Sequence, residues 1–230
     1  MVETTVWFGT GTSVFFLGAA LFVWFAVARG EIRSPLYYLP PLVATLAGVS
    51  YAGMTAVTLG VVDGATVQTI RFADWLVTTP LITYYLARLA GTERSTRVVA
   101  VATNALMIGT GYGFVALSGA LRWVAFAAST TLLVGLVYLF GRAFRGALTG
   151  ASRSARSLYV SLRDLTVATW SVYPVVYFLG PLGVGVIRTG DLDLLIAALD
   201  VTAKVGLVAI ILLRQYELSE FFSREVAEAA

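Results

Sequence analysis

The sequence predicts an all-α membrane protein: seven transmembrane helices in one bundle, with a short β-hairpin between the second and third. Three observations carry that expectation. Apolar residues make up 58% of the 230-residue chain and charged residues only 13%, against roughly a quarter charged in soluble domains. Seven stretches reach or approach the roughly 20 apolar residues that a bilayer-spanning helix needs. Finally, residues 5–28, 34–62, 98–121, 123–141 and 165–187 contain no Asp, Glu, Lys or Arg.

The first span is read over Thr5–Ala28. Residues 1–4 lack a basic leader region, and the apolar stretch is too long for a signal-peptide core, so it is expected to stay in the mature protein. The second is read over Pro35–Val61; Pro35 suits a first helical turn, whereas Pro40 and Pro41 would kink the helix unless it starts later. The remaining spans are Arg71–Ala90, Val98–Leu117, Leu121–Gly141, Arg156–Gly180 and Asp191–Leu213. Most are bounded by charges, Gly or Pro, as span ends in water should be. Between the second and third spans, Asp63-Gly64 stands among β-branched residues in Val61-Val62-Asp63-Gly64-Ala65-Thr66-Val67. Asp-Gly in that setting is a hairpin signal, so a two-stranded flap is expected, with an irregular loop as the alternative.

Orientation follows from the arginines. Arg29, Arg33, Arg88, Arg94, Arg97, Arg142, Arg145, Arg153, Arg156, Arg163, Arg214 and Arg224 fall on one side of the predicted bundle. Arg71, Arg122 and Arg188 fall on the other, a ratio of twelve to three. The positive-inside rule then puts the N-terminus outside and the C-terminus in the cytoplasm of a multi-pass cell-membrane protein. The short tail after the last span is acidic at its end and is expected to fray.

The chain has no Cys and no His. That removes thiolate metal sites, thiol nucleophiles and the commonest general base, so any proton chemistry rests on Asp, Glu, Tyr, Lys or water. No zinc spacing, phosphate loop or nucleic-acid footprint is present, and neither a metal site nor an enzyme is expected. The ionisable residues inside spans are the exception to a strict exclusion: Asp74 in the third, and Asp200 and Lys204 in the seventh. A charge at mid-bilayer costs about 2.5–3.5 kcal/mol on insertion scales, so such residues are functional candidates. Asp200 and Lys204 are four apart and share a helix face; Arg71, Asp74 and Thr78 follow the same spacing. Physics alone leaves three readings of this cluster: a structural ion pair, a transporter's proton relay, or a buried lysine tuned as a reactive amine.

Three motifs extend the third reading. Arg71-Phe72-Ala73-Asp74-Trp75-Leu76-Val77-Thr78-Thr79-Pro80-Leu81 resembles the third-helix signature of archaeal, type 1 microbial rhodopsins. Leu199-Asp200-Val201-Thr202-Ala203-Lys204-Val205-Gly206 resembles their retinal-lysine segment, and Trp170-Ser171-Val172-Tyr173-Pro174 their aromatic sixth-helix motif. The resemblance implies retinal bound covalently to Lys204 as a protonated Schiff base. It makes Asp74 the primary counter-ion and proton acceptor and Asp200 the second counter-ion, with Arg71 on the extracellular side and Thr78 bonding near Asp74. Trp75, Trp170 and Tyr173 would flank the polyene, with Thr79 and Pro174 beside them and Tyr51 bonding towards Asp200. Met107, Gly111, Phe126, Ser129 and Thr130 would complete the pocket. Read from the residues alone, helix packing is the favoured role of these aromatics, with Tyr112 and Trp123 as interfacial anchors. A rhodopsin domain over residues 1–217 and a short cytoplasmic tail over 218–230 are expected.

Departures from the family's proton pumps decide between its branches. The pumps carry a second Asp further along the third helix, where this chain has Tyr85; their Asp in the fourth helix corresponds to Asn104. Their Glu pair near the last connection is replaced by Gly180-Pro181-Leu182-Gly183, with Asp191 and Asp193 nearby but off register. A missing proton donor prolongs the light-activated state, which suits a receptor signalling for phototaxis. Residues 157–167 resemble sensory rhodopsin II, and residues 47–54 are nearer to sensory rhodopsin I, an intermediate character. Ala203 and Ala198 depart from the sensory rhodopsin II pattern at positions tied to its transducer, so a two-helix membrane transducer rests mainly on the absent pump residues. Asp74 argues against a halide pump. A weak light-driven outward proton pump is the alternative. The partners expected are the lipid bilayer, that transducer and a homo-oligomer packed through small-residue faces such as Gly109, Gly111 and Gly113.

Overall fold

A computed structural model describes residues 2–28, 35–148 and 153–214. Seven long helices dominate it: α1 (Val2–Ala28), α2 (Leu39–Thr58), α3 (Val67–Leu89), α4 (Arg94–Ala116), α5 (Gly119–Tyr138), α7 (Arg153–Leu179) and α8 (Thr189–Leu213). The four-residue α6 (Phe144–Ala147) continues α5 beyond a π-helical turn at Leu139–Ala143. Consecutive helices pack side by side from α1 to α5, α7 packs on α8, and α8 closes the ring against α1. The main core fills the bundle, while a second cluster of Phe8, Phe15, Ala47, Tyr51, Met54 and Ala197 seals α1 and α2 against α8.

Large apolar side chains face outward as well as inward: Trp24 is 67% exposed and Val134 64%. A water-soluble bundle would bury them. Five helical segments are long and apolar enough to cross a membrane, and α3 and α7 are not among them. Charged residues lower the hydropathy of those two: Arg71, Asp74 and Arg88 on α3, and Arg153, Arg156, Arg163 and Asp164 on α7. The chain is a multi-pass membrane protein embedded in lipid.

The helix ends correct the expected boundaries. A 3₁₀ turn, Pro35–Tyr38, precedes α2, which puts Pro40 and Pro41 in its first turn, where a missing N–H breaks no hydrogen bond and no kink is needed. The third helix begins at Val67 rather than Arg71, because the Thr66 side chain accepts a hydrogen bond from Thr69 N at 3.1 Å and caps it.

The expected β-hairpin is absent: no strand occurs among the described residues, and 59–66 form turns and bends. The physical reason is that both flanks are committed to helix ends. Gly60 sits at φ +69°, Gly60 N donates to Val57 O at 3.1 Å, and Val61 N donates to Ala56 O at 2.9 Å. That is a Schellman cap, and it takes the N–H that a strand would need. Thr66 caps α3 at the other end. Gly64 does turn the chain, at φ +81°, but too few residues remain on either side to pair.

Arg29, Arg33, Arg224 and the tail at 218–230 lie outside the described residues.

Candidate functional site

Lys204 projects from the middle of α8 into the bundle and is only 2% exposed. Its Nζ contacts Asp74 Oδ2 from α3 directly and stands 3.8 Å from Asp200 Oδ1, one turn back on its own helix. The sequence-predicted cluster of one lysine between two carboxylates therefore assembles across the α3–α8 interface.

The two carboxylates differ in their partners. Asp200 Oδ1 accepts from Trp75 Nε1 at 2.9 Å and from Tyr173 Oη at 2.7 Å, while its Oδ2 accepts from Tyr51 Oη at 2.8 Å. Donors from α3, α7 and α2 thus converge on one side chain of α8. Asp74 meets Lys204 on Oδ2 with the Ser50 side chain also close to the carboxylate, and its buried Oδ1 has no hydrogen-bond partner among the described residues. Thr78 donates to the Asp74 backbone carbonyl at 2.8 Å, not to the carboxylate. It fixes the turn that carries Asp74.

Arg71 lies one turn before Asp74 and is fully buried. Its Nη2 donates to Asp193 Oδ1 at 3.0 Å, and its guanidinium stands 5.7 Å from the centre of the Phe8 ring. The sequence reading set Asp193 aside as off register. It lies seven residues before Asp200, two turns along the same face of α8, and that spacing was the available signal. Charge therefore alternates along one line: Lys204, the two carboxylates, Arg71, Asp193.

Beside Lys204 runs an elongated apolar cavity. Trp75 and Thr79 of α3, Met107 and Gly111 of α4, and Phe126, Ser129 and Thr130 of α5 line it. Trp170, Tyr173 and Pro174 of α7 complete its walls, with Asp200 and Lys204 at one end. Tyr51 is the only expected pocket residue that does not line it, and reaches the site through Asp200 instead. Several lining residues were not anticipated, among them Phe72, Ile82, Phe114, Leu133 and Tyr177. Phe72 and Ile82 extend the stripe of Trp75 and Thr79 by one turn each way, a periodicity that was legible. Ser129 Oγ donates to Met107 O at 2.8 Å, tying α5 to α4 at the cavity wall. Thr79 Oγ1 does the same between α3 and α4, 2.7 Å from Asn104 Oδ1.

Comparison with known proteins identifies the family. The family model described as bacteriorhodopsin-like protein matches residues 2–218. The chain belongs to that family. Sensory rhodopsin III of Haloarcula marismortui is 54% identical over 96% of this chain and 96% of its own length. Sensory rhodopsin-2 of Haloarcula vallismortis is 35% identical over 95% and 93% respectively. Among solved structures, the thermophilic rhodopsin from Rubrobacter xylanophilus superposes with a TM-score of 0.85 over 96% of this chain and 99% of that one. At 23% identity that last likeness concerns the fold alone.

The cofactor of this rhodopsin is retinal, held covalently as a protonated Schiff base. The residues present fit it. The cavity offers a primary amine at one end and apolar walls along the rest, as a long polyene aldehyde requires. Gly111 leaves the space open: an added Cβ would stand 3.1 Å from Ser129 Oγ and 3.3 Å from Phe72 Cε1. No group of His, Cys, Asp or Glu suited to a metal ion occurs among the described residues. Members of the family are photoreceptors and ion pumps rather than enzymes.

Proposed function

We propose that this protein is a sensory photoreceptor in which light moves a proton from the Schiff-base nitrogen of Lys204 to Asp74. The photoreceptor class rests on relatives named sensory rhodopsin that cover nearly the whole chain. The observation that carries the mechanism is the unequal dressing of the two carboxylates. When bound, retinal supplies light absorption and a change of shape about a double bond.

The rest belongs to the chain. Lys204 would hold the aldehyde through its Nζ, and Asp74 and Asp200 beside that nitrogen would favour its charged form. Asp200 holds its negative charge by accepting from Tyr51, Trp75 and Tyr173. Asp74 Oδ1 accepts no hydrogen bond among the described residues, so Asp74 takes the proton with the least loss of hydrogen bonds. Trp75, Trp170 and Tyr173 exclude water and confine the polyene, and Met107, Gly111, Phe126, Ser129, Thr130, Thr79 and Pro174 shape the rest of its bed. Arg71, drawn to Asp193, balances the carboxylates from the outside.

Return of the proton is slow in this reading. Eleven residues past Asp74, roughly 16 Å along α3 at the α-helical rise, stands Tyr85, buried and with no hydrogen-bond partner for its hydroxyl among the described residues. A carboxylic donor is missing there. A long-lived activated state suits signalling for phototaxis through a two-helix membrane transducer. The arginine asymmetry supports an extracellular N-terminus and a cytoplasmic C-terminus, with residues 1–217 as the rhodopsin domain and 218–230 as a short tail. The polar line through Arg71 to Asp193 favours a second reading, a weak outward proton pump.

Flash photolysis of the retinal-reconstituted protein beside Lys204→Ala, with light-induced pH recording in cells, separates these. We expect a visible band that Lys204→Ala lacks, a slow photocycle, and negligible pH change. A fast cycle with sustained acidification outside would establish the pump, and absence of pigment in the wild type would remove the retinal role of Lys204.

A further inference from the structure

The walls of the cavity are not equally tight. At the Lys204 end the hydrogen-bonded side chains of Tyr51, Trp75, Tyr173 and Asp200 close it. Ties such as Ser129 to Met107 and Thr79 to Asn104 hold α3, α4 and α5 together. Between α5 and α7, by contrast, the helices touch only sparsely. A second apolar depression opens there on the outer surface of the bundle. It shares Phe126, Thr130, Leu133 and Pro174 with the chromophore cavity, so the same four side chains form the partition between the two spaces. Its outer rim includes Val134 and Val175, which are 64% and 56% exposed and face the lipid.

We propose that this depression is the port through which retinal enters from the bilayer, with the partition of Phe126, Thr130, Leu133 and Pro174 as its gate. The inference rests on the retinal reading above. Its occupant follows from continuity and from chemistry. A polyene aldehyde partitions into hydrocarbon rather than water, because each buried CH₂-sized group gains about 0.8 kcal/mol on leaving water. A route along Arg71 and Asp193 would take it past buried charge, whereas this route is lined mostly by apolar side chains, with Thr130 and Ser171 as its hydroxyl-bearing residues. Pro174 contributes to the gate's looseness. It has no N–H to donate to the Trp170 carbonyl, so α7 lacks one backbone tie beside the opening. The aldehyde entering here would lie with its far end towards Lys204, where condensation with the amine releases one water.

The test is the rate of pigment formation in the full-length protein in lipid nanodiscs. The protein is bleached with hydroxylamine, washed, and mixed with excess all-trans retinal. Visible absorbance reports the finished pigment, and quenching of Trp75 and Trp170 fluorescence reports arrival in the cavity before the bond forms. Val134→Trp with Val175→Trp fills the depression without touching the cavity lining. Both signals should then slow by about tenfold or more, an added barrier of roughly 1.4 kcal/mol, with unchanged absorption maximum and final yield. Val49→Trp and Leu106→Trp, at lipid-facing positions 58% and 60% exposed on other helices, should keep the wild-type rate. Should the filled variant fail to fold, Val134→Ala with Val175→Ala carries the test and should speed both signals severalfold. A wild-type rate in a folded filled variant, or in the widened one, overturns the port and leaves the depression as a seat for a lipid chain. Failure of the wild type to form pigment at all strikes the retinal reading instead.

Discussion

Asp74 and Asp200 face the same ammonium, and their hydrogen bonds give them different work. Replacing Asp74 by Asn removes the anion in contact with Lys204 Nζ and leaves Asp200 with its three donors. The dark absorption band should move to longer wavelength, since the anion nearest the nitrogen stabilises the dark state most. The light-induced infrared band of a protonated carboxyl should disappear. Asp200→Asn should act differently: Tyr51, Trp75 and Tyr173 lose a charged acceptor in a buried setting, at about 1–3 kcal/mol for each group left unsatisfied. Its thermal bleaching midpoint should therefore fall well below that of Asp74→Asn, with the carboxyl band retained. Equal effects of the two substitutions would refute the division. At this scale the sequence was legible where spacing within one helix decides contact, as for Asp200 with Lys204. For Asp193 the sequence offered only the spacing that puts it on the face of Asp200; its partner Arg71 sits on α3, and no spacing along one helix reveals which side chain a second helix will present. Thr78 shows the same limit on a smaller scale, its hydroxyl being spent on its own backbone.

Helix ends decide most of what separates the predicted elements from the observed ones. Asp63-Gly64 carries genuine turn chemistry, yet the hairpin needed flanking residues that Gly60 and Thr66 had already claimed as caps. Both claims are local and were present in the sequence: a glycine just past an apolar helix, and a threonine just before the next. They competed with the hairpin signal and won, because a helix of twenty residues gains more from a closed end than a two-residue strand gains from pairing. Gly60→Ala tests this. Its φ of +69° is left-handed, where a Cβ costs roughly 1–2 kcal/mol, so the bleaching midpoint should drop while the absorption maximum stays put. An unchanged midpoint would mean the cap contributes nothing. The π turn at Leu139–Ala143 was not legible at all. Its extra residue per turn leaves the apolar pattern intact, and its stabilising contact is remote: Tyr159 on α7 donates to Phe140 O at 2.7 Å. That bond ties α7 to α5 near one end of the bundle, while Arg214 at the end of α8 holds Ser157 and Ser161 of the same α7 region at 2.7 and 2.8 Å. The sixth long helix is thus anchored by polar bonds at the arginine-rich end and only loosely packed against α5 further along.

Across the whole molecule, the seven-span order was readable because a bilayer punishes charge almost everywhere, so each permitted charge marks either a boundary or the site. The handedness of that order in the membrane is a separate matter, set by the arginines outside the spans. Arg88, Arg94 and Arg97 bracket the α3–α4 connection, whereas the α2–α3 connection carries only Asp63. Retaining such arginines on the cytoplasmic side is the energetic basis of the orientation proposed above. The absence of cysteine from the chain makes the test clean, since any label reports only the introduced thiol. Asp63 and Glu93 are both exposed, and neither side chain caps a helix by hydrogen bonding. In intact cells, Asp63→Cys should react with a membrane-impermeant maleimide and Glu93→Cys should not, until the membrane is opened and both react. The reverse pattern would put the N-terminus inside. It would then turn the Asp74–Arg71–Asp193 line towards the cytoplasm, and any proton released along it would move inward rather than out.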